Sequence, residues 1–347
     1  MNFSIELLEW YMHNKRELPW RDTKDPYFIW ISEVILQQTK VQQGLPYYIN
    51  FINTFPTIKS LAEASEDKVL KLWQGLGYYS RARNLHSAAK EIILNYSGKF
   101  PKEYKSILSL QGIGPYTAAA ISSIAFNLPY AVVDGNVIRV LSRFFSINIP
   151  FDTTLGKKYF QNLAQELLLE NNPATYNQAI MDFGAVICTP KKPDCYSCVL
   201  NLSCKAYADQ EVLSLPFRSK KIKVKNRYVY SFMFQTKENV YIQKIKKGIW
   251  QGLYEFPYFD SLEEIPKKEV VNSIFLERLV KKESVDIKSV SEKYIHKLTH
   301  QKINAIFWHI NIKNFSANGF LKVKLKDLKN YPISRLTEKY LINMNII

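Results

Sequence analysis

The chain has 347 residues, of which 47% are hydrophobic and 22% charged, with a formal net charge of +16. That length exceeds one comfortable core and predicts two or three domains of a globular protein. No apolar run approaches the roughly 20 residues that cross a bilayer. The opening stretch MNFSIELLEW lacks a basic leader and carries Glu6 and Glu9, so no secretory signal and no membrane partner is expected, and the expected location is cytoplasmic.

Residues 1–215 read as an all-α region. Asp25-Pro26 is a cap followed by proline at the first helical position, and PYFIWISEVILQQTKV continues at helical spacing. DKVLKLWQGL opens on Glu66 and Asp67. Further helices are expected over Ala82–Tyr96, Lys102–Leu108, Tyr116–Phe126, Gly135–Phe145 and Gly156–Glu170, with glycine and proline at the joints. ADQEVLSLPFRSKKIKVKNR has turn and basic character, and residues 216–227 are assigned as a basic linker. Beyond it the period changes to two. RYVYSFMFQ, NVYIQKI, YIHKLTH and QKINAIFWHINI alternate like strands, while Glu269–Lys282 and Ser334–Asn343 read as helices. Residues 228–347 are thus an α+β domain.

Charge follows this division. Residues 216–347 hold 26 Lys and Arg against 12 Asp and Glu, so nearly all of the excess lies there. A positive balance of this kind suits a polyanionic partner, although lysines on exposed faces are also ordinary solvated surface. Abundant Lys, Asn and Ile hint at a bacterial source.

The only four cysteines, Cys188, Cys195, Cys198 and Cys204, fall in one stretch spaced C-x6-C-x2-C-x5-C. Such clustering in a long chain is an address for a metal rather than a disulfide framework. Four thiolates hold either tetrahedral zinc or a 4Fe–4S cube. Zinc sites favour two close cysteine pairs, and here only one C-x2-C exists, which suits the cube better.

LQGIGPYTAAA holds a Gly-x-Gly turn, Gly112 and Gly114, between two expected helices. Backbone N–H groups there can approach a phosphate at a helix N-terminus, although an ordinary helix joint reads the same way. Asp134, in VVDGNVIRVLSRF, stands directly before a helix, where a cap is the plain reading. Glu33 has Ile29, Trp30, Leu36 and Gln37 at helical spacing. An apolar setting raises a carboxyl pKa and suits a general acid.

LPWR, SEVILQQTKV, GLGYYSRARNL, GIGPYT, VDGNV and the cysteine array, in order across residues 15–205, resemble the MutY family of adenine DNA glycosylases in the endonuclease III, or helix-hairpin-helix, superfamily. The resemblance implies a helical glycosylase region with an iron–sulfur cluster loop, then a MutT/Nudix-like domain. It implies excision of adenine mispaired with 8-oxoguanine or guanine in double-stranded DNA, by a monomer associated with the bacterial nucleoid. It implies a flipped base, with Glu33 as the acid on adenine N7, Asp134 stabilising the sugar cation and Tyr116 lining the site. Bifunctional members of the superfamily carry a nucleophilic lysine where Tyr116 stands, so the resemblance implies a monofunctional enzyme. Arg21, Gln38, Thr39, Tyr78, Gly112 and Gly114 become DNA or base contacts, and Thr299 and His300 the readers of 8-oxoguanine. One 4Fe–4S cluster per chain falls to the four cysteines. Ile138 departs from relatives that are basic there, so a phosphate contact is lost. GIWQGLYEFP resembles the segment before the acidic Nudix helix, but that helix's paired acidic residues are absent, implying recognition without pyrophosphatase chemistry. The competing readings are a bifunctional glycosylase for oxidised pyrimidines and a non-catalytic, metal-stabilised DNA-binding protein.

Overall fold

A computed structural model describes residues 3–219, 224–273, 279–280, 285–313, 315 and 317–347. The chain divides into two compact units: Met1–Glu63 with Asn84–Lys221, and Ala64–Arg83 with Ile222–Ile347. Residues 64–83, read from the sequence as part of the helical region, therefore pack with the second unit.

The helices of the described chain up to residue 219 are α1 (Phe3–Asn14), α2 (Pro26–Leu36), α3 (Val41–Thr54), α4 (Ile58–Ala62), α5 (Glu66–Leu72), α6 (Ser80–Asn95), α7 (Tyr104–Ser109), α8 (Pro115–Phe126), α9 (Gly135–Phe145), α10 (Thr154–Glu166), α11 (Pro173–Val186) and α12 (Lys205–Ala208). In the first unit α2, α9 and α11 carry most of the site, and α8 packs against both α2 and α11. Its run Thr117–Ile124 is buried throughout and made largely of Ala and Ser, so neighbouring backbones can come close. Burying side chains such as Ile35, Phe51 and Phe160 contributes roughly 1.5–3 kcal/mol each.

The first helix of the site is shorter than its apolar pattern. The sequence continues helically to Val41, yet α2 stops at Leu36 and α3 starts at Val41. Gln38 sits at φ 57° in the left-handed region, which ends the α2 ladder. Gln37 is pinned by its amide nitrogen donating to Thr117 Oγ1 at 3.1 Å. Helix α9, by contrast, spans the residues its pattern predicts, because Asp134 caps it.

The second unit is built on a sheet of strands β1 (Lys225–Thr236), β2 (Asn239–Lys244), β3 (Tyr254–Glu255), β4 (Tyr258–Ser261), β5 (Val285–Val290), β6 (Tyr294–Lys297), β7 (Gln301–Ile312) and β8 (Leu321–Lys324). The central path is β3-β2-β1-β7-β5, with β4 on β1, β6 on β7 and β8 on β2. Strands β1 and β7 run parallel, with Phe232 opposite Trp308. One face packs Met233, Ile303 and Phe307 against Leu336 and Tyr340 of helix α14 (Arg335–Asn343). The other packs Tyr230, Phe232, Trp308 and Ile310. Strand β1 begins at Lys225, within the stretch assigned as linker. Helix α13 is Lys267–Val271, and residues 274–278 and 281–282 of the helix expected over Glu269–Lys282 lie outside the described residues. Directly after GIWQGLYEFP the chain forms β4 rather than a helix.

Candidate active site and nucleic-acid interface

The first unit holds a cavity of about 790 Å³ lined by Arg21, Glu33, Gln38, Thr39, Tyr116 and Asp134, among others. Six of the residues expected from the sequence thus share one chamber. Glu33 comes from the inner face of α2 and is only 7% exposed. Tyr116, at the second position of α8, donates its hydroxyl to Glu33 Oε2 at 2.6 Å, and that hydroxyl also lies 3.4 Å from Met181 Sδ. Burial raises the Glu33 pKa above the ordinary carboxyl value. The Tyr116 hydrogen bond and the Arg21 charge oppose the rise, while the Asp134 charge adds to it. Burial, reinforced by the Glu33 charge, likewise pushes the Tyr116 phenol well up, so it is a donor here and not a phenolate.

Asp134 has two tasks on two oxygens. Its Oδ1 accepts the backbone N–H groups of Asn136 and Val137, each at 2.8 Å, which makes it the N-cap of α9. Its Oδ2 accepts Asn136 Nδ2 at 2.9 Å. Burial raises its pKa, and these hydrogen bonds pull it back down. The helix N-terminus also favours the anion. The carboxylate that caps α9 is thus also one that lines the chamber.

Arg21 lines the chamber with its guanidinium engaged inside the protein. It donates to Tyr11 Oη and to Asp182 Oδ1, both at 2.7 Å. Asp182, 0% exposed, also pairs with Arg16. Sequence reading missed Asp182 and Met181, whose neighbourhood NQAIMDFGAVIC has no spacing signal and whose partners Arg16, Arg21 and Tyr116 lie far away in the chain. It also missed Asn136, although that residue stands in VDGNV two positions from its partner Asp134.

The joint between α7 and α8 needs its first glycine twice over. Gly112 has φ +78°, and a Cβ there would stand 2.4 Å from Asn84 Cβ. Gly114, the N-cap of α8, has open space around it among the described residues.

All four cysteines line a small cavity of about 30 Å³ together with Arg143, Phe183 and Leu200. Arg143, four residues after Arg139 on α9, donates to the carbonyls of Thr189 at 2.8 Å and Pro190 at 3.1 Å, and reaches Cys188 Sγ at 3.4 Å. Arg139 donates to the Cys188 carbonyl at 2.7 Å. Helix α9 thus carries Asp134 at one end and fastens the cysteine loop along its length. Burial and the neighbouring thiols push the Cys198 pKa up to about 12, so its thiolate form needs a cation beside it. Four cysteines gathered around one small cavity are a donor set of the kind that holds a metal group.

Tyr78, Thr299 and His300 belong to the second unit. Tyr78 is 48% exposed, and its hydroxyl lies 3.3 Å from Thr299 Oγ1. Thr299 and His300 form the exposed turn between β6 and β7, held where Lys225 N donates to the His300 carbonyl at 3.1 Å. The Arg81 guanidinium sits over the Tyr78 ring, 5.7 Å from its centroid.

Two family models match: residues 31–179 match the HhH-GPD superfamily base excision DNA repair protein, and residues 229–343 match the NUDIX domain. The chain is 37% identical over 329 residues to the adenine DNA glycosylase of Buchnera aphidicola subsp. Baizongia pistaciae, covering 91% of this chain and 89% of that one. A solved thermostable thymine-DNA glycosylase is 31% identical with a TM-score of 0.56, covering 60% of this chain and 95% of its own. Endonuclease III in a non-covalent DNA complex has a TM-score of 0.53 at 20% identity, covering 60% and 94%, and shares the helical fold.

Proposed function

We propose, for a chain that belongs to the family of adenine DNA glycosylases of base excision repair, that it removes adenine mispaired with 8-oxoguanine or guanine by hydrolysis alone, leaving the strand uncut. One observation carries this reading: the 2.6 Å hydrogen bond from Tyr116 to Glu33 within a chamber that Asp134 also lines.

Adenine within a duplex is shielded on both faces, so it must leave the stack, and a chamber of about 790 Å³ has room for it. Adenine N9 is a poor leaving group until N7 is protonated. Glu33, kept protonated to higher pH by burial, supplies that proton. As the C1′–N9 bond breaks, positive charge spreads over the sugar ring. Asp134, whose ionised form two backbone N–H groups and an amide favour against the effect of burial, offsets that charge from below. Water then bonds to C1′ and gives its proton to the Glu33 carboxylate, restoring the acid.

No amine stands at position 116, which supports a monofunctional enzyme. Lys40 reaches the chamber only from an exposed position at its edge. In the first unit the proposed DNA contacts are the hairpin at Gly112 and Gly114 with Gln38 and Thr39 on the tight turn after α2, and Arg21 places its charge near Glu33. In the second unit Tyr78, Thr299 and His300 are the proposed readers of the opposite base. Cys188, Cys195, Cys198 and Cys204 would hold a 4Fe–4S cube, which when bound cross-links their loop rather than acting on adenine. The strand directly after GIWQGLYEFP and the lack of the paired acidic residues in the sequence support recognition without pyrophosphatase chemistry in the C-terminal domain.

The test is single-turnover excision from duplexes carrying A opposite 8-oxoguanine, guanine or thymine. Adenine should leave the first two and stay in the third, with strands breaking only after alkali. Release of an oxidised pyrimidine, or direct nicking, contradicts the reading.

A further inference from the structure

Residues 64–83 are fastened into the second unit by a short set of long-range hydrogen bonds, and one side chain stands at their centre. Gln74 Oε1 accepts from Ile333 N and from Lys71 Nζ, both at 3.1 Å. Gln74 Nε2 donates to Glu338 Oε1 at 2.7 Å. Lys71 also donates to the Tyr331 carbonyl at 3.2 Å, and Glu338 uses its other oxygen for Arg335. Gln74 thereby gathers the start of α14 and the strap before it onto the end of α5. At the far end of the segment Arg83 donates to the Gln251 carbonyl at 2.6 Å, and Asp67 accepts from Lys244 Nζ at 2.7 Å and Tyr254 Oη at 2.9 Å.

Between these fastenings lies the turn Gly75–Tyr79, four residues of which separate Gln74 from Tyr79. Tyr78 has φ 48° there, a left-handed conformation that costs a non-glycine residue of order 1 kcal/mol and persists only where surroundings enforce it. Trp73 Nε1 and Arg81 Nη2 both donate to the Gly77 carbonyl at 3.1 Å, which closes the turn on itself. Those bonds shape the turn. Gln74, directly before it, joins it to Ile333 and Glu338 of the C-terminal chain, on which Thr299, the hydrogen-bond partner of Tyr78, also lies.

We infer that Gln74 is a positioning residue for opposite-base recognition. It sets the Tyr78 turn against the C-terminal domain so that the Tyr78 hydroxyl meets Thr299, and together they present one reading surface. This rests on the proposed reading of 8-oxoguanine by Tyr78 and Thr299. The alternative is that Gln74 only adds stability, in which case its loss affects all substrates alike.

The test uses the full chain and the ratio of single-turnover excision rates for A opposite 8-oxoguanine and A opposite guanine. Gln74→Ala should lower that ratio about tenfold, the scale of a lost hydrogen bond with a buried N–H left unpaired. The loss should fall on the 8-oxoguanine arm, with A·G excision near the wild-type rate. Gln74→Glu sets a carboxylate against Glu338 and should lower the ratio too, and adding Glu338→Gln should restore it by reversing the donor and acceptor. In a Thr299→Ala background, Gln74→Ala should change the ratio no further. An unchanged ratio, an equal fall on both duplexes, or no rescue by the paired exchange overturns the inference. A wild-type chain that shows no preference for 8-oxoguanine overturns instead the reading beneath it. Should Gln74→Ala fail to fold, the paired exchange alone still decides.

Discussion

Tyr116 donates its hydroxyl to Glu33 across 2.6 Å, joining the first turn of α8 to the buried face of α2. The bond stabilises the ionised carboxylate while burial favours the protonated form. Tyr116 therefore opposes burial in setting the Glu33 pKa as well as orienting its carboxyl group.

The pH profile of excision should report this opposition. Glu33 must be protonated to act, so the rate falls as pH rises through its raised pKa. Asp134 must be ionised, so the rate falls as pH drops through its own. Tyr116→Phe removes an influence that lowers the Glu33 pKa, and the alkaline limb should move to higher pH while the maximal rate drops. An alkaline limb that stays put or moves down separates that limb from Glu33.

Asp134 both caps α9 and faces the chamber, and two substitutions distinguish the tasks. Asn also caps, so Asp134→Asn should retain thermal stability yet lose excision. Asp134→Ala should lose excision and about 1 kcal/mol of stability as well. An Asn variant that cleaves at the wild-type rate removes Asp134 from the chemistry.

Borohydride should fail to trap the wild-type chain on DNA, because a Schiff base needs an amine at the reacting carbon. Tyr116→Lys should gain some trapping and nicking. Efficient wild-type trapping would overturn the monofunctional reading, and Lys40 is then the first residue to map.

The cysteine loop should carry four irons per chain and broad visible absorbance, as a 4Fe–4S cube demands. Arg143→Ala leaves the carbonyls of Thr189 and Pro190 without their donor and should speed iron loss to a chelator. Stoichiometric zinc in a colourless protein would contradict the assignment.

The sequence and the structure agree best where chemistry is local. The cap at Asp134 predicts α9 to the residue because side chain and helix start are neighbours. The Gly-x-Gly joint is legible because the φ at Gly112 is a property of the backbone itself. The end of α2 was not, since apolar spacing runs on through Gln37 and Gln38 and only the left-handed Gln38, with Gln37 drawn to Thr117, breaks it. Asp182 was invisible because its meaning lies in Arg16 and Arg21, far away in sequence. The attachment of residues 64–83 to the second unit was equally hidden, as Gln74 and Lys71 look like surface residues of an ordinary helix until Ile333, Tyr331 and Glu338 are beside them.

The central claim is that Glu33 is the acid that makes adenine leave. Glu33→Gln preserves size and hydrogen bonding but has no proton to give, so it should bind an 8-oxoguanine·A duplex as the wild type does. Its single-turnover excision should drop by at least the roughly 10²–10⁴-fold that a general acid contributes. Excision at the wild-type rate by Glu33→Gln, with binding unchanged, would contradict the account.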